Sequence, residues 1–498
     1  MSPLKNKKLL INAEMSEESR IALVQDGKLE AFHIETLNHQ STKGNIYKAK
    51  VVSIEPSLQA AFVDFGAEKN GFLPLSEIHP EYYCRETRTE GGEPLRIQNL
   101  IEKGQETLVQ VVKEAFAQKG AALTTYLSLA GRYLVLLPGS ESSGISRKIE
   151  NEEQRRNLKE MMKDFELPEG IGFIVRTASL DMTKRELSKD LQYLLRLWKD
   201  IKEKGQTLTS PALIYKEAGV ITRFLRDYFT TDINEILIDD KETFKQFRDH
   251  MRVISPKHYG LVRFHKESKP VFSRYNIEQQ IEEIYEPKVT LTSGGSIVIN
   301  PTEALVAIDV NSSRAVKEKE LEETAFKTDL EAAEEIARQL RLRDLGGLIV
   351  VDFIDMREST HRRAVEKRLK DELKKDKAKV DVGKISKFGL LELVRQKLRS
   401  PIALGSHKIC AHCQGRGIVR SVETQAVAAL RRIQAALTRS GLTGISVSVP
   451  PEVAGYLLNK KRGEICQLET RSGMTINIEY QADVMPGECR LEFFKKPE

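Results

Sequence analysis

The hydrophobic pattern of the sequence changes from strand-type to helical near Pro138. Before it, short apolar runs such as LLINAEM, IALVQDG and KLEAFHIE are separated by turns rich in Gly, Pro and Ser. Beyond it, apolar side chains recur at helical spacing, as Leu187, Leu191, Leu194 and Trp198 do. No single type of element fits both parts, and 498 residues are too many for one hydrophobic core. The sequence therefore predicts a multidomain α+β fold.

The pattern also predicts the arrangement of several elements. The three runs quoted above predict a small meander, and residues 44–78, where Val-, Ile- and Phe-rich runs end at turns, predict an antiparallel barrel. Two apolar strands, ending in AIDVN and LIVVD, flank a long helix in a strand, helix, strand arrangement. The tail after residue 422 predicts a helix and two strands, a small α+β cap. Helical periodicity predicts helices at 150–165, 184–204, 218–228, 319–343 and 423–439.

The amino-acid composition limits which classes of protein the chain can belong to. With 40% hydrophobic and 30% charged residues, and no apolar run long enough for a membrane span, the chain is expected to be soluble. The net charge of +6 is too small to indicate nucleic acid by itself, and basic clusters at 362–379 and 460–462 are typical of solvated helix faces. Five cysteines with one close pair and no export signal favour the reducing cytoplasm.

Polar residues end the two apolar strands. Asp309 and Asn311 lie two apart, so their side chains project to the same face of one strand, and Asp352 ends the other. Oxygen ligands of this kind suit Mg²⁺, which takes one or two carboxylates and keeps waters for a phosphate substrate. Asp355 would face the other way on a regular strand and is the weaker candidate. Alternatively, these acids simply end strands or cap helices.

Two aromatic residues flank a turn in the predicted barrel. Phe62 and Phe72 enclose GAEKNG, with Lys48, Lys50 and Lys69 nearby. Aromatic platforms combined with cations are what single-stranded RNA binding uses. The alternative is that both rings fill the barrel core.

Cys410 and Cys413 form a thiol pair in CAHCQGRG. A closed structural zinc site needs four ligands, so this pair supplies half of one. Two chains could each contribute a pair, which would make zinc a dimer clamp. Two alternatives stay open: the pair is unmetallated, or it belongs to a chaperone-like zinc module.

Nine segments together closely resemble the ribonuclease E/G family. The resemblance covers nearly the whole chain and is greatest to the ribonuclease G branch, because no long disordered C-terminal extension follows. The segments are GNIYKAKV, AAFVDFG, GFLPLSEI, KGAALTT, FIVRTAS, AIDVNSS, ARQLRLRDLGGLIVVDFIDM, KFGLLELVRQ and CAHCQGRG.

The resemblance implies a domain organisation. An RNase H-like domain is interrupted by an OB-fold and a 5′-sensor segment, and a DNase I-like catalytic subdomain, a zinc-link and a small α+β dimerisation domain follow. The implied boundaries are 1–41 and 222–284 for the two RNase H-like parts, 42–125 for the OB-fold RNA-binding domain, 126–221 for the 5′-sensor segment, 285–406 for the catalytic subdomain, 407–421 for the zinc-link and 422–498 for the dimerisation domain.

The resemblance also implies roles for individual residues. Asp309, Asn311 and Asp352 match the catalytic Mg²⁺ ligands, and Cys410 and Cys413 match Zn²⁺ ligands shared between two subunits. The residues that match those holding RNA near the scissile bond are Phe62, Phe72 and Lys119. The residues that match the pocket recognising a 5′-monophosphate are Gly131, Val135, Arg147, Arg176 and Thr177, joined by Lys379.

Lys379 departs from the family pattern, which has arginine at that position. Lysine keeps the charge but loses bidentate geometry, so the strength of 5′-end discrimination stays open.

The function that the resemblance implies is a cytoplasmic, Mg²⁺-dependent endoribonuclease. It would hydrolyse single-stranded, A/U-rich RNA to 5′-phosphate and 3′-hydroxyl products, stimulated by a 5′-monophosphate on the substrate, in rRNA processing and mRNA decay. It would be a homodimer joined by zinc, and whether dimers pair into tetramers stays open. The alternatives are a non-catalytic RNA-binding or ribosome-associated protein that uses the barrel alone, and a zinc-dependent assembly scaffold.

Overall fold

The chain divides into two units, Met1–Gly405 and Ser406–Glu498, each with its own hydrophobic core. Among the residues described, no helix has both the length and the apolar character needed to cross a bilayer. This computed structural model describes residues 6–15, 17–36, 42–84, 96–115, 120–146, 148–149, 151–163, 165, 167–180, 182–217, 219–230, 232–312, 321–398, 402, 407–439 and 441–495.

The first unit contains mixed sheets and helices. In chain order its strands are β1 (Lys7–Asn12), β2 (Glu18–Gln25), β3 (Lys28–Thr36), β4 (Ile46–Glu55), β5 (Ala60–Asp64), β6 (Gly71–Pro74), β7 (Glu106–Lys113), β8 (Ala122–Thr124), β9 (Leu129–Ala130), β10 (Leu134–Pro138), β11 (Ser143–Ile145), β12 (Ile171–Val175), β13 (Ala212–Tyr215), β14 (Glu235–Ile238), β15 (Val262–Phe264), β16 (Lys288–Thr290), β17 (Ser296–Pro301), β18 (Leu305–Asn311), β19 (Gly347–Asp352), β20 (Val380–Val382) and β21 (Leu390–Arg395). Its helices are α1 (Glu152–Lys163), α2 (Lys184–Thr207), α3 (Val220–Tyr228), α4 (Lys241–Ile254), α5 (Val271–Arg274), α6 (Glu278–Tyr285), α7 (Leu321–Arg343) and α8 (Ser359–Leu373).

A five-stranded sheet is assembled from two distant parts of the chain. Its order is β15-β14-β1-β2-β3: the antiparallel meander of β1 to β3 is confirmed, and β14 and β15 add to β1 in parallel. One face packs on Phe224 and Met251, and the other on Phe272 and Ile281. Everything between β3 and β14 is therefore inserted into this sheet.

The inserted segment begins with a closed barrel. β4, β5, β6, β8 and β7 follow one another, and β7 pairs with β4 to close the ring, while β13 extends the sheet beside β4. Val51, Val63 and Val109 are buried in its core. A Cβ at Gly71 would lie 2.2 Å from Leu123 Cδ1, so only glycine permits β6 to approach β8 this closely. The predicted barrel is confirmed.

The second part of the insertion is a four-stranded sheet in the order β11-β12-β10-β9. The predicted helices 150–165 and 184–204 appear here as α1 and α2, which bury Leu158 and Leu191 against it. Thr183 and Glu186 begin α2 with a reciprocal capping box, which satisfies backbone donors at the helix start.

A six-stranded sheet, in the order β16-β17-β18-β19-β21-β20, completes the first unit. β18 and β19 are parallel, and α7 connects them, so the predicted strand, helix, strand arrangement is confirmed. α7 and α8 cover one face, with Ile336 and Val365 fully buried. The opposite face is open: Leu348 and Val394 are 41% and 52% exposed.

The second unit has more elements than its sequence pattern predicts. α9 (Val422–Ala436) matches the predicted helix, but it is followed by three strands and two more helices, with the sheet order β23-β22-β24. The first missed helix has Val453, Ala454 and Leu457 at helical spacing but is only 10 residues long, and the second buries only Ile465, so it has no apolar stripe. These elements are β22 (Leu442–Val449), α10 (Pro451–Lys460), α11 (Arg462–Ser472), β23 (Thr475–Tyr480) and β24 (Arg490–Lys495).

Candidate functional site

Two aspartates lie side by side on the open face of the six-stranded sheet. Along β18, Ile308 and Val310 are buried while Asp309 and Asn311 are exposed, as strand alternation requires. In the register of β18 and β19, Asp309 is the partner of Asp352, which is also exposed. Neighbouring strands are about 4.8 Å apart. The structure thus brings the three predicted metal ligands together on one solvent-facing surface.

Asn311 also orients its neighbour. Its amide Nδ2 donates a hydrogen bond of 2.6 Å to Asp309 Oδ2. Helix capping does not explain Asp352, because Glu358 occupies the position before the first residue of α8 and makes no side-chain cap there. Asp352 is therefore exposed to solvent at a strand end and does not cap a helix.

Asp355 lies closer to this group than strand alternation predicts. The strand ends at Asp352, so alternation no longer applies three residues later. A Cβ at Gly389 would lie 3.3 Å from Asp355 Oδ1 and 3.9 Å from Asp352 Oδ1. Both carboxylates therefore flank Gly389, so the expectation that Asp355 faces away from Asp352 is wrong.

Two carboxylates of α7 hold the loop that carries Asp355. Asp329 Oδ1 accepts a hydrogen bond of 3.1 Å from the Ile354 backbone N–H. Glu322 accepts bonds of 3.0 and 3.2 Å from the backbone N–H groups of Arg357 and Glu358. Sequence reasoning missed both residues, because an acid within a charged helix gives no sign that it turns inward.

The environment of Asp329 is unusual for a carboxyl group. Its side chain is fully buried, and within the described part of the chain Oδ2 has no hydrogen-bond partner. Burial raises its pKa from 3.8 to about 7, although the Ile354 N–H favours the charged form. Asp329 therefore changes protonation state near neutral pH.

The donor set at Asp309 fits a magnesium ion that keeps water ligands. The described ranges contain no group of three or more His, Cys, Asp or Glu side chains suited to hold a metal unaided. Two carboxylates, the amide oxygen of Asn311 and water are nevertheless a common shell for Mg²⁺ at phosphate-binding sites. Hard oxygen donors and open access to solvent both suit that ion.

The barrel aromatics face outward. Phe62 and Phe72 are cross-strand partners whose ring centroids lie 5.9 Å apart. Both side chains are half-buried, whereas the residues before and after each of them point to the other face of the strand and are buried in the barrel core. The alternative that they fill the core is therefore wrong. Lys48 pairs with Glu106 at 3.0 Å, so its charge is already compensated. Lys119 lies outside the described residues.

Arg176 forms the centre of the predicted 5′-sensor group. Its Nη1 donates to the Gly131 carbonyl at 2.7 Å and its Nη2 to Asp227 Oδ1 at 2.6 Å. Burial would raise the pKa of Asp227, but Arg226 and Arg176 hold it below its ordinary value. The guanidinium fork therefore already has a carboxylate partner.

The glycine in this group is required by close packing. A Cβ at Gly131 would lie 2.5 Å from Asp190 Oδ2, and Asp190 accepts hydrogen bonds from the backbone N–H groups of the next three residues. Val135 pairs with the strand that ends just before Arg176, and Thr177 follows it. Of the remaining two predicted sensor residues, Lys379 is exposed and Arg147 lies outside the described residues.

The thiol pair has a turn suited to metal binding. Backbone N–H groups of Gly417 and Gly415 point at Cys413 and, with the nearby Cys410 thiol, lower its pKa. The glycines adopt φ of +74° and +82°, which places these N–H groups toward the sulfur. The arrangement favours a thiolate at Cys413, the form that binds zinc.

Comparisons with known proteins cover nearly the whole chain. A model of the ribonuclease E/G family matches residues 128–398, an S1 RNA binding domain model matches 40–124, and an RNase E/G thioredoxin-like domain model matches 409–494. The S1 match covers the closed barrel.

Similar relatives include both branches of the family. Ribonuclease E of Haemophilus influenzae (strain ATCC 51907 / DSM 11121 / KW20 / Rd) is 46% identical over 95% of this chain and 50% of its own length, and ribonuclease E of Escherichia coli (strain K12) is 47% identical over 93% and 44%. The chain thus spans about half the length of these relatives. Ribonuclease G of Escherichia coli (strain K12) is 35% identical over 95% of this chain and 96% of its own length. Identity is higher with ribonuclease E and aligned length agrees with ribonuclease G, so a special likeness to the latter is supported only loosely.

Substitutions at Asp329 test whether its buried carboxyl group holds the loop after β19. Folding takes up a proton between pH 3.8 and about 7, so the free energy of unfolding falls as pH rises through this window. Asp329→Asn keeps the acceptor without the charge, and we expect its stability relative to the wild type to increase between pH 5 and pH 8, measured by urea denaturation. Asp329→Ala should cost about 1–3 kcal/mol at pH 5, because it leaves the Ile354 N–H unpaired.

The matched control is Asp381→Asn, an exposed aspartate of β20. Its unfolding curve should follow that of the wild type at both pH values. A loss of stability in Asp329→Asn at pH 8 would contradict the assignment of a buried, easily protonated carboxyl.

Proposed function

Because the chain belongs to the ribonuclease E/G family, we propose that it is an endoribonuclease that hydrolyses single-stranded RNA at Asp309, Asn311 and Asp352. One observation carries the proposal: the parallel register places Asp309 beside Asp352 on an exposed face, with Asn311 on the same strand. The barrel that matches the S1 RNA binding domain supports RNA as the substrate.

In the mechanism, the three polar side chains would hold Mg²⁺. When bound, this ion would supply positive charge beside the phosphodiester and make a nearby water easier to deprotonate. Attack of the water oxygen on phosphorus with cleavage of the bond to the 3′-oxygen, which takes up a proton, would leave 5′-phosphate and 3′-hydroxyl products. The open sheet face leaves room for an RNA strand within the first unit, since Leu348, four residues before Asp352 on the same face of β19, and its cross-strand partner Val394 are both exposed. Asn311 keeps Asp309 oriented through its 2.6 Å hydrogen bond.

The aromatic pair of the barrel would bind unpaired bases. Phe62 and Phe72 present ring faces and edges outward, and each stacked base contributes roughly 1–3 kcal/mol. Stacking favours unpaired RNA over a duplex, whose bases already stack on each other. A preference for A/U-rich segments follows, because these are the segments most often unpaired.

The group around Arg176 would recognise a 5′-monophosphate. A phosphate matches the guanidinium fork better than a single carboxylate oxygen does, so it would compete with Asp227 for Arg176. The hydroxyl of Thr177, the residue after Arg176, offers a further hydrogen-bond donor. Lys379 would add charge without a second fork.

The two large sheets and the cysteine pair also have proposed roles. The two-part sheet of β1 to β3 with β14 and β15 would be the RNase H-like domain, and the six-stranded sheet the DNase I-like subdomain. Cys410 and Cys413 would share Zn²⁺ with the same pair of a second chain, which makes the protein a homodimer. Cytoplasmic location and roles in rRNA processing and mRNA decay stay predictions.

Removing either carboxylate tests the active site. We expect Asp309→Asn and Asp352→Asn each to slow cleavage of a fluorescent single-stranded RNA by more than about 100-fold while RNA affinity changes little, because binding depends mainly on the barrel. Asp381→Asn is the control, since it makes the same change two strands from Asp352 on the same face. If both variants cleave RNA in Mg²⁺ at the wild-type rate, the assignment is wrong. If the wild type binds RNA without cleaving it, with or without EDTA, the non-catalytic alternative holds.

Lys379 offers a gain-of-function test. Lys379→Arg restores a bidentate fork, so we expect the ratio of cleavage rates on 5′-monophosphate and 5′-hydroxyl oligonucleotides to rise about fivefold, as an added hydrogen bond of roughly 1 kcal/mol would cause. Lys379→Gln should lower the same ratio. An unchanged ratio in both variants would remove Lys379 from the sensor.

The zinc proposal is tested by mass. We expect the wild type to contain about one zinc per two chains, and its mass by light scattering to halve when Cys410 and Cys413 are both replaced by Ser. Cys466→Ser, at another exposed cysteine, is the control and should leave both values unchanged. A double variant that keeps the wild-type mass would exclude zinc as the clamp.

A further inference from the structure

The turn before β21 presents an aromatic ring beside the candidate active site. Phe388 is 71% exposed, which is unusual for a large apolar side chain. It belongs to the segment KFGLLELVRQ, whose role the proposed catalytic and sensor groups leave unexplained.

The position of this turn follows from the sheet register. Leu390, two residues after Phe388, is the cross-strand partner of Asp352. The carbonyl of Gly389 accepts a hydrogen bond of 3.4 Å from the Phe353 N–H. A Cβ at Gly389 would lie 3.3 Å from Asp355 Oδ1. Phe388 therefore lies next to the carboxylates, on the same strand pair that positions them.

Backbone hydrogen bonds hold the turn in one conformation, and this conformation leaves the Phe388 ring exposed. Ser386 N–H donates to the Leu390 carbonyl at 2.8 Å, Gly389 N–H donates to the Ser386 carbonyl at 3.2 Å, and Phe388 N–H donates to Ser386 Oγ at 3.2 Å. Ile385 packs against the core, and its N–H donates to Glu366 Oε1 at 2.8 Å. The backbone on each side of the ring is thus bonded while the ring stays in solvent.

Cations accompany the ring. Lys387 Nζ lies 4.9 Å from the Phe388 ring centroid, and Lys384 is exposed on the same turn. An exposed aromatic face with neighbouring ammonium groups has the chemistry that binds a base and the phosphates on either side of it. The turn is remote in sequence from the barrel pair Phe62 and Phe72, so it would be a separate binding position.

We propose that Phe388 is a stacking platform for one unpaired RNA base next to the scissile phosphate, and that Lys387 contacts a backbone phosphate beside that base. This rests on the proposed function, because it takes the neighbouring carboxylates as the cleavage site. Phe388 is a substrate-binding residue that fixes which phosphate lies at Asp309 and Asp352. It accounts for the one strongly exposed aromatic beside the acids in the described part of the first unit.

Paired changes in protein and RNA test this proposal. In single-stranded oligonucleotides with one cleavage site, an abasic residue is placed at each position near that site in turn. For the wild type we expect one position at which the abasic residue raises KM about tenfold. Phe388→Ala should raise KM to a similar extent on intact RNA and be insensitive to the abasic residue at that position. Phe388→Trp should restore both the KM and the sensitivity.

The control and the outcomes separate this inference from the proposed function. Phe494→Ala removes another exposed phenylalanine, in β24, and should leave KM unchanged. If the wild type cleaves but Phe388→Ala matches it on every substrate, the platform is wrong and the proposed function stands. If Phe388→Ala instead halves the mass measured by light scattering and keeps the abasic sensitivity, the ring is a protein contact and the inference is overturned. A wild type without cleavage refutes the proposed function itself.

Discussion

The parallel pairing of β18 with β19 is the constraint on which the candidate site depends. It sets Asp309 opposite Asp352, and a parallel pair needs a long crossover, which α7 supplies. The crossover also works as a support, because Asp329 and Glu322 reach from α7 to the backbone of the loop after β19. The connection that makes the register possible therefore also fixes the loop beside it.

A second set of contacts fixes β21 at the end that lies away from Phe388. Arg395, at the end of β21, is 2% exposed and donates to Asp376 at 2.7 Å and Asp344 at 3.0 Å. These bonds tie β21 to the ends of α7 and α8. Replacing one member of such a buried group leaves an unpaired charge, which is costly. The turn with Phe388 is thus attached to a strand that has little freedom to shift.

Much of this was predictable from the sequence, and the limits have a physical origin. Strand alternation and helical periodicity gave the meander, the barrel, α2 and α7, because those elements each bury a continuous apolar face. α8 was indicated only by its basic, solvated face, because Val365, Leu369 and Leu373 form a narrow apolar stripe within a run of charged residues. The shared face of Asp309 and Asn311 followed from their spacing, and their grouping with Asp352 was implied by the family resemblance. The inward turn of Asp329 and the exposure of Phe388 depend on contacts distant in sequence.

In the proposed active site, the ends of β18 and β19 bind one divalent cation between them. Hydroxyl-radical cleavage of the protein by Fe²⁺ in place of Mg²⁺ tests it directly, since the radicals cut the backbone close to the bound ion. We expect cuts at both 309–311 and 352–355, suppressed together as Mg²⁺ is added. Cuts at only one of these segments, or cuts that Mg²⁺ leaves unchanged, would contradict it.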